Sequence, residues 1–154
     1  MSKGYMFKCE KCGYKFTAAF GVGFLYPKVY QETRTAALNG ELGKEIQKFL
    51  QENPDGEIDS SKVLGRCTQC GHYEIVKDLT MYLPNENFPE REIQFPVSWE
   101  LQDYYKIFAK YHHECENCGG ELEIFKATDL RNNGILKCPH CRESLILKKF
   151  GYWD

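Results

Sequence analysis

The sequence lacks several features that would place it outside the soluble globular proteins. No apolar run approaches the roughly 18 residues that a membrane-spanning helix needs, and the segment before Cys9 has no apolar core of a signal peptide. An excess of basic residues is missing too, since 20 Lys and Arg stand against 22 Asp and Glu. We therefore expect a soluble, cytoplasmic protein with reduced thiols.

Motifs of common enzyme classes are also missing. The sequence contains no Gly-x-Ser-x-Gly, no His-Glu-x-x-His and no phosphate-binding loop, and Gly21 and Gly23 form only a single Gly-x-Gly. Hydrolytic zinc needs an open coordination position, which a site made of four cysteines does not offer. The sequence therefore predicts a protein that is not an enzyme.

The cysteines, by contrast, are arranged for metal binding, because all eight lie in Cys-x-x-Cys pairs. A two-residue gap places both sulfurs on one side of a tight turn, here called a knuckle, and two knuckles supply the four thiolates of a closed structural Zn²⁺ site. The eight cysteines thus predict two Zn²⁺ sites. In chain order, the first to fourth knuckles are Cys9/Cys12, Cys67/Cys70, Cys115/Cys118 and Cys138/Cys141.

The residue after each knuckle is informative about its turn. Gly13, Gly71 and Gly119 follow the first three knuckles, where a positive φ lets backbone N–H groups point at the sulfurs. Arg142 follows the fourth. Either Arg142 adopts the same conformation at a cost of about 1–2 kcal/mol, or the fourth knuckle turns differently.

Knuckle spacing suggests which pairs share an ion. The 19 residues between the third and fourth knuckles suffice for a strand, a turn and a returning strand, so we expect these two to share one Zn²⁺. The first and second knuckles then share the other. In the alternative arrangement, the second knuckle meets the third.

The four histidines all lie within three residues of a knuckle cysteine. Eight cysteines already complete two four-coordinate shells. We therefore expect the histidines to be surface residues or hydrogen-bond donors near the sites, rather than ligands. They are His72, His112, His113 and His140.

The C-terminal half resembles the zinc ribbon family. The resemblance rests on the third and fourth knuckles, the apolar run Leu122–Phe125, the turn signal Asn133-Gly134 and the apolar residues 145–147. It implies one structural zinc held by two knuckles and a three-stranded antiparallel sheet.

Two further resemblances concern the N-terminal half. Its Cys-x-x-Cys-Gly followed by the run from Phe20 to Pro27 is similar to small uncharacterised bacterial zinc-ribbon proteins, which implies no activity. Residues 5–14 resemble a rubredoxin knuckle. Because four sulfurs in tetrahedral geometry suit either metal, iron is an alternative to zinc at the first site.

Together these features predict a small, metal-stabilised α+β fold of two antiparallel zinc-ribbon units. Residues 1–80 form the first ribbon, and helical periodicity places a helical hairpin inside it at about residues 26–53. Residues 81–104 hold three of the six prolines and mainly acidic charges, and are expected to form an extended connector along one of the units. Residues 105–154 form the second ribbon.

We expect the function to be that of a protein-interaction module, with the aromatic residues Phe24, Tyr26 and Tyr30 of the insertion as exposed anchors. The first alternative is a nucleic-acid-associated or transcription-related ribbon protein, although a formal charge of −2, or about −6 with two Zn²⁺ on eight thiolates, disfavours it. Rubredoxin-like electron transfer at the first site is the second alternative. The candidate nucleic-acid-binding residues are Lys137, Arg142, Lys148, Lys149 and Trp153.

Overall fold

A computed structural model of the chain describes residues 3–23, 25–130 and 136–151. The strands are β1 (Lys3–Lys8), β2 (Lys15–Phe20), β3 (Glu57–Ile58), β4 (Lys62–Cys67), β5 (Tyr73–Lys77), β6 (Met81–Pro84), β7 (Tyr105–Ala109), β8 (Leu122–Phe125) and β9 (Ile146–Gly151). The helices are α1 (Tyr26–Leu38), α2 (Lys44–Glu52), α3 (Ser98–Tyr104) and the 3-10 helix Ala127–Leu130.

The chain folds into two compact units, and neither is continuous in sequence. Unit 1 comprises Met1–Gly23, Lys62–Lys77 and His112–Asp154, whereas unit 2 comprises Phe24–Ser61 and Asp78–Tyr111. This differs from the expected division into consecutive ribbons at residues 1–80 and 105–154. The reason is that both long connections between knuckle-bearing segments leave unit 1 and fold together as unit 2.

Unit 1 contains two three-stranded antiparallel sheets of the same design. Their strand orders are β2-β1-β9 and β5-β4-β8. In each sheet, a hairpin turns at a knuckle (β1–β2 at the first, β4–β5 at the second), and a strand that follows another knuckle pairs with the first strand of that hairpin. Along β1, Tyr5 and Phe7 are buried while Met6 is half-buried, the period of two expected for a strand with one face on a core.

The two sheets share one apolar core, which includes Phe7 of β1 and Leu64 of β4. The half-buried Phe16 stacks on Phe7 with ring centroids 5.3 Å apart and on Tyr73 of β5 at 4.8 Å. The Tyr73 hydroxyl donates to the carbonyl oxygen of Lys137 (2.7 Å) and accepts from its N–H (3.1 Å). Tyr73 therefore links the hairpin of the second knuckle to the backbone just before the fourth.

Unit 2 contains the predicted helical hairpin, whose two helices are α1 and α2. Gly40, with φ 82°, follows the end of α1. The apolar face of α2, made of Ile46, Phe49 and Leu50, is buried against Met81 of β6 and neighbouring residues. The apolar face of α2 is therefore part of the core of unit 2.

The segment 81–104 is not the extended connector that its prolines suggested. It contains β6, the central strand of the β3-β6-β7 sheet, and α3. Leu101 of α3 is buried with Tyr82 and Tyr105 in a second apolar cluster of unit 2. Burial of these apolar side chains outweighs the tendency of a proline-rich segment to remain extended.

We expect Tyr73→Phe to destabilise the zinc-loaded protein by about 1–3 kcal/mol, because it leaves the Lys137 N–H and C=O without their hydrogen-bond partner. The stack on Phe16 remains. Urea unfolding measures the difference, and Tyr14→Phe is the matched control, since the Tyr14 ring also packs on Phe16 (6.0 Å). Equal stability of the two variants would contradict the linking role of the Tyr73 hydroxyl.

Candidate metal centres

The four knuckles have the same backbone hydrogen bonds. In each, the N–H of the first cysteine donates to the carbonyl five residues later at 2.7–2.8 Å, and its own carbonyl accepts from the N–H four residues later at 2.8–3.1 Å. This closed turn directs further N–H groups at the first sulfur, as when Asn117 N–H donates to Cys115 Sγ (3.3 Å). Four copies of one turn therefore present eight sulfurs.

Positive φ angles complete these turns, as the glycines indicated. Gly13, Gly71 and Gly119 have φ of 80°, 77° and 76°, and Arg142 has φ of 65°. The fourth knuckle thus turns like the others, and Arg142 occupies a conformation that costs a non-glycine residue about 1–2 kcal/mol.

The sulfurs gather into two clusters of four. We call the cluster of the first and fourth knuckles the outer site and that of the second and third knuckles the inner site. Within each, all four sulfurs lie within 4.8 Å of one another. Four sulfur–sulfur distances that join one knuckle to another are 3.3–3.7 Å, close to the ~3.8 Å edge of a tetrahedron of sulfurs at ~2.3 Å from a metal ion. All eight cysteines are free thiols.

The expected pairing of knuckles in chain order is wrong, and the alternative, in which the second knuckle meets the third, describes the structure. The strands explain why. β9, which follows the fourth knuckle, pairs with β1, which leads into the first. β8, which follows the third, pairs with β4, which leads into the second. The Asn133-Gly134 turn signal lies outside the described residues.

Each cluster is buried on one side and reaches the solvent on the other. The first cysteine of every knuckle is at most 3% exposed, whereas the second is exposed or half-buried. Soft sulfur donors in a four-coordinate arrangement fit Zn²⁺ or iron. Four sulfur ligands would complete the coordination shell of such an ion, as they do in structural Zn²⁺ sites.

Local hydrogen bonds prepare some thiols for metal binding. The N–H of Cys12 lowers the pKa of Cys9 to about 7, and the side-chain amide of Asn117 lowers the pKa of Cys70 to about 6. The pKa of Cys118 is raised to about 12, because the Cys67 and Cys70 sulfurs beside it outweigh the favourable Gly120 N–H bond to its thiolate. Complete ionisation of such a cluster therefore requires a cation to offset the repulsion between thiolates.

No family model, curated protein or solved structure matches this chain. Nor does any helix in the described ranges have the length and apolar character needed to cross a membrane. The geometry establishes a small α+β fold with two clusters of four cysteines, each of which could hold a metal ion. These clusters are consistent with sites of the zinc-ribbon type.

The histidines occupy four different surroundings. His140 packs on the Tyr14 ring (4.9 Å between centroids), His113 is buried, and His112 Nδ1 lies 3.7 Å from a carboxylate oxygen of Glu121. His72 lies between Glu74 and Glu116. The grouping of these last three residues was not predicted, because it depends on the inner site bringing the second and third knuckles together.

Two of the three proposed aromatic anchors, Tyr26 and Tyr30, are packed within unit 2 rather than freely exposed. Tyr26 is 7% exposed and donates its hydroxyl to the Pro96 carbonyl (2.6 Å), so its assignment as an exposed anchor is wrong. The half-buried Tyr30 donates its hydroxyl to Glu57 (2.5 Å), and burial raises its pKa. Phe24 lies outside the described residues. The sequence reveals apolar character here but not the packing against the 81–104 segment.

The candidate nucleic-acid-binding residues are partly engaged within unit 1. Lys137 donates to Ser144 Oγ (2.8 Å), Lys148 pairs with Glu10, and Arg142 is exposed. The side chain of Lys149 and all of Trp153 lie outside the described residues. Two of the three described side chains thus already have polar partners in the fold.

Arg142→Gly should stabilise the zinc-loaded protein by about 0.5–1 kcal/mol, because relief of the positive-φ strain exceeds the extra entropy of glycine in the unfolded chain. Gly13→Ala should destabilise the zinc-loaded protein by about 1–2 kcal/mol, because φ at Gly13 is 80°. No atom lies within 4 Å of the added methyl group, so the cost comes from the backbone conformation and not from a steric clash. Urea unfolding measures the free energy of unfolding of both variants and of the wild type. A destabilised Arg142→Gly would show that the arginine side chain contributes more than its strain costs.

Two double variants test the knuckle pairing. Wild-type protein should bind two Zn²⁺ and remain colourless after dialysis. Cys12→Ser/Cys141→Ser removes ligands from the outer site alone and should retain one complete site, whereas Cys12→Ser/Cys70→Ser damages both and should retain none. Metal analysis and the charge-transfer absorption of Co²⁺-substituted protein measure the outcome. The reverse result would restore the chain-order pairing, and red protein would indicate iron.

Proposed function

We propose that the protein is a non-catalytic, zinc-binding protein-interaction module, in which unit 1 holds two structural Zn²⁺ ions and unit 2 carries the contact surface. The distribution of the chemistry supports this division. All eight cysteines belong to unit 1. Of the seven large apolar side chains most exposed among the described residues, six belong to unit 2.

Three of these side chains, each more than half exposed, support a docking role. Trp99 of α3 is 54% exposed. In β7, the consecutive residues Ile107 and Phe108 are 55% and 54% exposed. Large apolar and aromatic side chains supply most of the energy of protein interfaces. The three residues replace the buried Tyr26 as the proposed anchors.

The position of Ile107 and Phe108 on β7 is suitable for binding an extended segment. β7 is the outer strand of the β3-β6-β7 sheet, and β6 is its only strand partner within the described residues. An outer strand has backbone groups that can pair with an added strand. An exposed isoleucine and phenylalanine on such a strand would contribute apolar contacts to that pairing.

Charge supports a protein partner over nucleic acid. Unit 2 has 7 Lys and Arg against 13 Asp and Glu, and unit 1 has 13 against 9. Eight thiolates and two Zn²⁺ would reduce the surplus of +4 in unit 1 to zero. Neither unit would then carry the positive charge from which phosphate affinity arises, and the acidic unit 2 favours a basic protein partner.

We expect Ile107→Ser/Phe108→Ser to lower capture of protein partners from native cells by at least about tenfold, the effect of losing about 1.4 kcal/mol. Ile75→Ser, which alters a side chain of unit 1 that is 37% exposed, is the matched control and should capture normally. Wild type and both variants serve as full-length, zinc-loaded baits. Unchanged zinc content and melting temperature exclude unfolding.

Two outcomes would contradict the proposal. Partners retained equally by wild type and the β7 variant would place the contact elsewhere. Retention on a nucleic-acid column that falls with salt, together with nuclease-sensitive capture, would favour the nucleic-acid alternative.

A further inference from the structure

Next to the inner site, three side chains with metal-binding groups converge. His72 follows the second knuckle and its Gly71, Glu74 lies in β5, and Glu116 lies within the third knuckle. His72 Nε2 is 3.3 Å from Glu116 Oε1 and 3.6 Å from Glu74 Oε2. One ligand atom from each residue lies within 4.8 Å of the other two.

These separations suit a small divalent ion. Nitrogen and oxygen ligands about 2.1 Å from a tetrahedral ion are about 3.4 Å apart. Both measured separations lie within about 0.2 Å of that value, so little movement is needed for His72 to contact an ion together with either carboxylate. An imidazole and two carboxylates form a donor set for Zn²⁺, Co²⁺ or Ni²⁺ rather than for a soft, sulfur-seeking ion.

The local charge favours a cation. Within the described part of the chain, His72 is the sole ion-pair partner of both carboxylates. One imidazole carries at most one positive charge, so two carboxylates remain at least partly uncompensated. Four thiolates around a Zn²⁺ ion in the inner site would add a net charge of about −2 on the same two knuckles. His112 and Glu121 provide a contrast, because there one imidazole faces one carboxylate at 3.7 Å.

The ligands are also partly preorganised. The Glu74 side chain is only 13% exposed, and its Oε2 accepts the backbone N–H of Glu116 at 3.2 Å. Asn117 donates its side-chain amide to Cys70 Sγ at 3.5 Å, a further link between the second and third knuckles. A metal in the inner site would therefore hold all three ligands in place.

We propose that His72, Glu74 and Glu116 form a third metal site, which binds a divalent transition-metal ion through nitrogen and oxygen. Three protein ligands leave a coordination position open to solvent, on the side of Glu116, whose side chain is 72% exposed. The site is weaker than the two cysteine sites because it offers fewer ligands and no thiolate. Its occupancy depends on the inner site being formed.

The experiment uses full-length protein that retains two tightly bound Zn²⁺ after dialysis. Calorimetric titration with Co²⁺ should show one further equivalent in wild type. His72→Gln and Glu116→Gln should weaken that uptake by at least about tenfold, since even the loss of a group that only supports a ligand costs 10–100-fold. His112→Gln is the matched control and should bind as wild type does.

A second measurement locates the ion. Co²⁺ should broaden or shift the amide resonances of residues 72–74 and 114–118 in wild type, while the zinc content stays at two. Failure of wild type to take up a further equivalent would overturn the proposal, and His72 would then serve only as an ion-pair partner. Equal uptake by His72→Gln, or broadening confined to other residues, would equally overturn it.

Discussion

The meeting of four cysteine sulfurs from two knuckles far apart in sequence, which a bound cation would stabilise, is the constraint around which this fold is arranged. The outer site joins sulfurs 126 and 132 positions apart in sequence, and the inner site joins sulfurs 45 and 51 apart. Because loop-closure entropy grows only logarithmically, the longer loops cost about 1 kcal/mol more. A structural zinc contributes an apparent ~10–16 kcal/mol. The entropy of loop closure therefore disfavours the nested pairing only slightly. The strand partners decide between the nested pairing and the chain-order pairing.

Nesting also explains unit 2. When the second knuckle pairs with the third inside the loop closed by the first and fourth, two long connections must leave unit 1 and return to it. The first supplies α1, α2 and β3, and the second supplies β6, α3 and β7. Ile46 and Phe49 of the first pack on Leu79 and Met81 of the second. Neither connection buries its apolar residues alone, so unit 2 requires both.

The same arrangement separates the charges. Along the sequence, acidic and basic residues are nearly balanced, with no basic half. In the fold, the acidic surplus falls on unit 2 and the basic surplus on unit 1, where thiolates holding metal ions would offset it. Six of the seven most exposed large apolar residues among those described likewise belong to unit 2, whereas all eight cysteines belong to unit 1. Both observations underlie the proposal that unit 1 binds metal and unit 2 carries the contact surface.

Features that depend only on neighbours along the chain were predictable from the amino-acid sequence. Cys-x-x-Cys spacing identified the knuckles, Gly13 and its equivalents indicated their positive φ, and helical periodicity located α1 and α2. Tertiary structure alone decided which knuckles meet, whether Tyr26 is buried, and that His72 approaches Glu116. These depend on strand pairing and packing between segments tens of residues apart. A local pattern cannot encode such choices, because a cysteine pair offers the same two thiolates to any partner.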